Sequence, residues 1–423
     1  MTFDRREPKS IVDRERAMQH ALVSIRQLWA GRAPDFEELG IADVDPEPLV
    51  IYDMNGQVLF YDFDIMGREQ VLGVVRTSAS RTIGTPVPSI QLGPRKWNPE
   101  EVREAAHKKV LEEYGRAKIL DTEFVCYSYP KIGIRVMVEI PRQGIGSLVY
   151  DVSDLSPVNL YEDSAGLGQT AWSFYQDIVE PTAPQREAYW DRMDTELGAV
   201  IEGTPDILER SLGGRRDVVE LRTAFEPKPL VEVLKPIPIP FVSSKVVRYS
   251  PHCYPQHECF ELYGQITSVY CACATGEMIL DWYRYYYDQS AIATAMGTGA
   301  FGTSISGIIN GIESLSKNCL DVTWDSGPGF STPGTAAWID AKAEIDANRP
   351  LASVVPHHIR ACAGWKRQNI SIFPNPPKRW LKIYDPWPWN ANPCQGGAIY
   401  WEDYALQTHW GFFYIRHRTT ACP

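Results

Sequence analysis

Gln265-Ile-Thr-Ser-Val-Tyr-Cys271-Ala-Cys273-Ala-Thr-Gly-Glu-Met-Ile-Leu280 is the stretch on which the reading of this chain turns. A glutamine stands six positions before a cysteine. The cysteine opens a run of helical spacing that continues to Trp282 and Tyr283. At a helix start, unpaired N–H groups and the helix dipole favour the thiolate, and the thiolate is the nucleophile. Acyl transfer also needs donors aimed at a developing oxyanion, and the Cys271 N–H and the Gln265 side chain are the candidates.

A cysteine nucleophile needs a base, and the base needs an orienting group. Downstream, a short apolar run after Arg349-Pro350 leads to His357-His358, and a second run passes Gly364-Trp365. Leu381-Lys-Ile-Tyr-Asp385-Pro386-Trp387 reads as another strand, ending on an acid. The order is Gln265, Cys271, His358, Asp385. Gly364, six residues on, selects His358, and strand alternation would face His357 the other way. Taken alone, Cys271 reads as a buried structural thiol and Asp385 as a turn acid before proline. Asn369 and Asn390 are substitutes for Asp385. Trp387 either covers the His–Asp contact or is plain core.

In combination these blocks resemble the papain-like cysteine peptidases, in the bacterial branch that contains staphopain and the bacteriocin-processing peptidases. Gln265 with Tyr270-Cys271-Ala272 matches the Gln-x5-Cys block. His358 with Gly364 matches the His-x5-Gly-aromatic block, and Tyr384-Asp385-Pro386-Trp387 matches the Asp-Pro-Trp ending. The matches cover roughly residues 250–415. The resemblance implies a peptidase with Cys271 as nucleophile, His358 as base, Asp385 as orienting acid and Gln265 as oxyanion donor. It implies a peptide or protein substrate, no cofactor and no metal. Cys273, a second thiol where the family usually has none, is a departure. Family members are often made with a propeptide, so residues 1 to about 240 are expected either to restrain the catalytic cleft or to serve as a permanent recognition domain. Alternative functions are an acyl transferase or peptide ligase/cyclase using the same triad, or a non-catalytic zinc-binding interaction protein. The zinc reading rests on His252, Cys253, His257, Cys259, Cys271 and Cys273, whose spacings miss the common pairs around tight turns.

Length and composition set the outer bounds. A chain of 423 residues exceeds one ordinary core, and 44% hydrophobic with 22% charged residues fits a globular protein. A net charge of −11 argues against nucleic acid or an anionic membrane as the main partner. No apolar run approaches a membrane span, and the first residues lack an apolar signal core. Nine scattered cysteines read as thiols in a reducing, cytoplasmic setting.

Along the chain, residues 10–31 carry amphipathic helical spacing. Two apolar runs around Asn55-Gly56 predict a hairpin, and further strands are expected at 71–79 and 87–92. Asn98-Pro99-Glu100-Glu101 predicts a capped helix to Gly115. Strands follow at 122–129, 132–140 and 146–151. Residues 163–211 show helical spacing, and the five prolines of 226–240 predict an extended linker. Residues 271–316 and 334–347 read as helical, and 350 to about 416 as strand-rich. Gly297-Thr-Gly299-Ala-Phe-Gly302 formally matches a dinucleotide fingerprint but lacks a preceding strand, so a loop between helices is expected, with Gly307 and Gly311 marking close packing. The expected fold is α+β. An N-terminal α+β domain (1–155) leads through a helical and Pro-rich connector (156–245) to a papain-like two-lobe domain (246–423).

Overall fold

The computed structural model describes residues 11–30, 33–67, 70–159, 169–171, 173–177, 183–201, 242–247, 260–326, 335–368, 378–406 and 409–418. The strands are β1 (Asp43–Val44), β2 (Leu49–Asp53), β3 (Val58–Met66), β4 (Val71–Ser78), β5 (Ser89–Leu92), β6 (Lys118–Ser128), β7 (Lys131–Ile140), β8 (Gly144–Asp151), β9 (Val158–Asn159) and β10 (Gln169–Thr170). They continue as β11 (Val242–Val246), β12 (Leu320–Asp325), β13 (Leu351–Val355), β14 (His358–Gln368), β15 (Arg379–Asp385), β16 (Ala398–Asp403) and β17 (Gly411–His417). The helices are α1 (Arg14–Ala30), α2 (Pro99–Tyr114), α3 (Ala183–Ile201), α4 (Cys271–Trp282), α5 (Gln289–Met296), α6 (Ile305–Leu315) and α7 (Thr335–Asp346).

Local chemistry sets many of these boundaries. Gly56 takes a positive φ of 87° in the β2–β3 turn, where its N–H donates to the Asp53 carbonyl. The Asn98 side chain accepts from the Glu100 and Glu101 N–H groups at the start of α2, with Pro99 in the first turn. Asp288 and Ser304 cap α5 and α6 in the same way. Between those two helices lies the Gly297–Gly302 loop, so the glycines serve a helix–helix connection. On α6, a Cβ at Gly311 would lie 2.5 Å from Met296 Cγ, so the glycine lets α5 and α6 pack closely.

The sheet is continuous across both halves of the chain. Its order is β12-β17-β13-β14-β15-β16-β5-β4-β3-β2-β6-β7-β8, with β1 beside β3 and β11 beside β14. The pairing is antiparallel except between β2 and β6. The seam is β16 against β5, where Ile399 faces Leu92 and Glu402 faces Ser89. The cores straddle this seam. Trp387 and Leu406 pack into the core built on α2 and the N-terminal strands, and Trp380 and Trp401 pack into the core under α1. The third core joins α4, α5, α6 and α7 to β12–β17.

Three readings are corrected. β12 lies where no strand was expected, although Leu320-Asp-Val-Thr-Trp-Asp begins with the alternation of a half-buried strand. His357 is not a strand residue facing away. It sits at φ 55° in the tight turn between β13 and β14, exposed, just before the pairing of Val355 with His358. Cys319 is disulfide-bonded, whereas Cys126, Cys271, Cys273, Cys362 and Cys394 are free. A single disulfide leaves no mark in the count and scatter of the cysteines, on which the reading of nine thiols rested. No helix among the described residues is long and apolar enough to cross a membrane. The Pro-rich 226–240 stretch, Asn369, and His252, Cys253, His257 and Cys259 lie outside the described residues.

Candidate active site

Cys271 is the first residue of α4, and no side chain caps this helix. Its leading N–H groups are therefore not taken up by a Ser or Asp oxygen of the usual kind. The thiol is half-buried. Burial pushes its pKa up, but the hydrogen bond and charge of His358 and the charge of Lys131 outweigh that and bring it down to about 7. The N–H of Ile359 also points at the sulfur. Thr275 of α4 donates to the Ile359 carbonyl at 3.1 Å, tying the thiol-bearing helix to the histidine-bearing strand.

His358 opens β14 and is fully enclosed. Its Nε2 lies 2.7 Å from Asp385 Oδ1 at the end of β15. Nδ1 makes no hydrogen bond of ordinary geometry, which leaves it for the thiol. Burial lowers the imidazole pKa, and Asp385 and Cys271 together raise it above 6.5. Asp385 is 1% exposed. Burial would raise its pKa, but His358 and then Arg360 hold it below the ordinary value. Its Oδ1 also accepts from the Trp387 N–H at 2.9 Å, and its Oδ2 from the Tyr400 hydroxyl at 2.7 Å. The Trp387 indole packs into the N-terminal core and donates to Asp151. Gly364 lies at a register shift in the β14–β15 ladder, where a Cβ would meet Lys382 Cβ at 2.9 Å and the Lys245 carbonyl at 3.2 Å.

Gln265 is completely buried, and its main chain straps the thiol side to the acid side. Its N–H donates to the Pro386 carbonyl at 2.9 Å, and its carbonyl accepts from the Asn390 N–H at 3.0 Å. The side-chain Nε2 donates to the Thr267 carbonyl at 2.7 Å, which uses one of its two protons. Asn390 enters through its main chain. Cys273, two residues from Cys271, is fully buried on α4 and hydrogen-bonds the Thr298 hydroxyl at 3.3 Å. Burial pushes its thiol up to about 11. Among the described residues no group of three or more His, Cys, Asp or Glu side chains is arranged to hold a metal ion.

Behind Asp385 lies a polar network that the sequence reading missed. Tyr400, which donates to Asp385, accepts from Arg360 at 2.9 Å. Arg360 is buried and holds Glu402 through two contacts, at 2.7 and 3.1 Å. Glu402 also accepts from Tyr129, at the end of the N-terminal β6–β7 hairpin, at 2.9 Å, and faces His409 Nε2 at 3.2 Å. His409 Nδ1 and Arg360 both reach Ser353 Oγ. The one available signal was charge at alternate positions of an otherwise apolar strand, with His358 followed by Arg360.

No family profile and no curated protein matches this chain. Among solved structures, it is similar to a double glycine motif protease from an AMS/PCAT transporter in complex with the leader peptide. That likeness has 11% identity and a TM-score of 0.26, over 37% of this chain and 91% of the other. At that TM-score it carries no argument.

Proposed function

We propose that this chain is a cysteine peptidase. The Cys271 thiolate attacks a peptide carbonyl, forming the C–S bond. The imidazolium of His358 gives its proton to the leaving nitrogen as the C–N bond breaks. The neutral imidazole then takes a proton from water, which adds to the thioester and returns the sulfur as thiolate. Asp385 holds the ring in the tautomer that presents Nδ1 to sulfur. The Cys271 N–H and the second Nε2 proton of Gln265 serve the oxyanion.

One observation carries this reading. A thiol at an uncapped helix start, lowered to about 7, adjoins an imidazole whose far nitrogen lies 2.7 Å from a buried carboxylate. We read residues 1–155 as a permanent recognition and support domain, 156–245 as a connector and 246–423 as the catalytic domain. The β5–β16 seam and the shared cores favour permanence over a removable propeptide. The test is mass spectrometry after a peptide-like thiol electrophile, alongside turnover of a fluorogenic peptide library. One adduct on Cys271 is expected, together with hydrolysis that vanishes in Cys271→Ala. An adduct on another cysteine, or an absence of hydrolysis by folded protein, overturns the proposal.

A further inference from the structure

Lys131 opens β7 at the tip of the β6–β7 hairpin, next to Tyr129-Pro130. It is 6% exposed. Its Nζ donates to the His357 carbonyl at 3.4 Å, a long contact. Among the described residues it forms no ion pair with a carboxylate. Its partner among the described residues is thus a neutral carbonyl, and a nearby anion would stabilise the charge. The hairpin tip is also held rigidly. Tyr129 donates to Glu402, which grips Arg360, so the tip is fastened to β14 through Arg360 and to the turn before it through His357, on both sides of His358.

We propose that Lys131 is the fixed cationic partner of the Cys271 thiolate, so that the N-terminal sheet completes the active centre. This rests on the cysteine-nucleophile reading above. The groups acting on the thiol are His358 from β14, Lys131 from β7 and, through His358, Asp385 from β15; Cys273 lies on the same helix. Lys131 transfers no proton. It stabilises the thiolate before attack, which enlarges the reactive fraction at low pH while tempering its intrinsic nucleophilicity. Removing the charge should therefore hurt most at low pH, a signature that general structural damage lacks.

The test is the pH dependence of iodoacetamide alkylation in the full-length chain, read by mass spectrometry on the Cys271 peptide. Wild type should show a midpoint near 7. Lys131→Met should move it up by about one pH unit, with about a tenfold slower reaction at low pH and an undiminished alkaline plateau. Lys131→Arg should stay near wild type. Near-UV circular dichroism checks folding, and Lys131→Gln is read in the same way if the Met variant does not fold. An unmoved midpoint in the charge-removed variant, or an equal shift in Lys131→Arg, overturns the proposal. A wild-type midpoint near 9 would sink the nucleophile reading and this inference with it. A wild-type midpoint near 7 that ignores Lys131 sinks this inference alone.

Discussion

Two of the histidine–carboxylate contacts among the described residues look alike and behave in opposite ways. His358 Nε2 lies 2.7 Å from Asp385, and His20 Nε2 lies 3.0 Å from Asp194 between α1 and α3. At His20 burial wins and the imidazole pKa falls. Asp194 is shared there, since Arg16 pairs with it at 3.0 Å and Arg81 at 3.4 Å, and the charges of Arg16 and Lys378 oppose a protonated ring. At His358 the carboxylate wins and the pKa rises. Apart from His358, the groups bonded to Asp385 are neutral donors, the Tyr400 hydroxyl and the Trp387 N–H, and Arg360 acts on it without a direct bond. A thiol on the far side of the ring then adds a second anion. A buried pair is thus not a site in itself; on the proposed reading, a carboxylate bonded to no second cation and a thiol across the ring distinguish His358.

The sharpest break of this comparison is to delete each imidazole. His358→Ala should cut kcat/KM on a peptide by about 10⁵-fold, and His20→Ala should leave it within a few-fold. In wild type, kcat/KM should rise with pH through about 7 as Cys271 ionises. The lowered thiol contributes stability that is complete above its ordinary value of 9.0 and is lost as pH falls through about 7. In His358→Ala the alkylation midpoint of Cys271 should climb toward 9.0; a midpoint still near 7 would show that the histidine is not its partner.

Asp385→Asn should cost on the order of 10³-fold in kcat, less than loss of the ring, because the amide favours the wrong tautomer. Equal activity at neutral pH would remove the orienting role. Gln265→Ala should slow acylation by about 10²-fold while the thiol still alkylates at the wild-type rate. Unchanged turnover would remove Gln265 from the oxyanion site.

Tyr400→Phe sharpens the point about the groups bonded to Asp385. It deletes one donor to Asp385 and one acceptor for Arg360, so about a tenfold loss in kcat and a melting shift equivalent to about 1–3 kcal/mol are expected. Smallest of all, Cys273→Ala should keep activity within a few-fold, since that thiol is buried and raised to about 11. A dead, folded Cys273→Ala beside an active Cys271→Ala would reverse the assignment of the two thiols.

The candidate triad could be read from the sequence because its clues are local. The Gln265–Cys271 spacing, the His358–Gly364 spacing and Asp385 before Pro386 each lie within one element and its turn. The hairpin at Gly56 and the cap at Asn98 were legible for the same reason. What stayed hidden depends on strands that meet only in the folded sheet. Tyr129 reads as the end of one strand and Lys131 as part of the turn to the next, and nothing nearby marks them as neighbours of Glu402 or His357. Arg360, Lys366 and Lys382 look like solvent-facing charges on β14 and β15. Because both faces of those strands are covered, they are buried instead, Lys366 beside the Trp401 ring. His357 was misplaced because alternation was applied across a turn.

The β5–β16 seam also bears on biosynthesis. β5 leaves the ribosome early and waits for a partner that is translated after nearly every other strand of the sheet. Pairings of such large sequence separation form late, after the loop-closure entropy has been met. Asp385 ends β15, the strand before that partner, and the Tyr400 that steadies it lies within β16. On the proposed reading, a growing chain that already carries Cys271 and His358 would be catalytically silent, its imidazole unoriented and the outer edge of β5 unpaired. Activity of the proposed kind would be timed by the arrival of β15 and β16, which would protect the nascent polypeptide and its neighbours from a premature nucleophile.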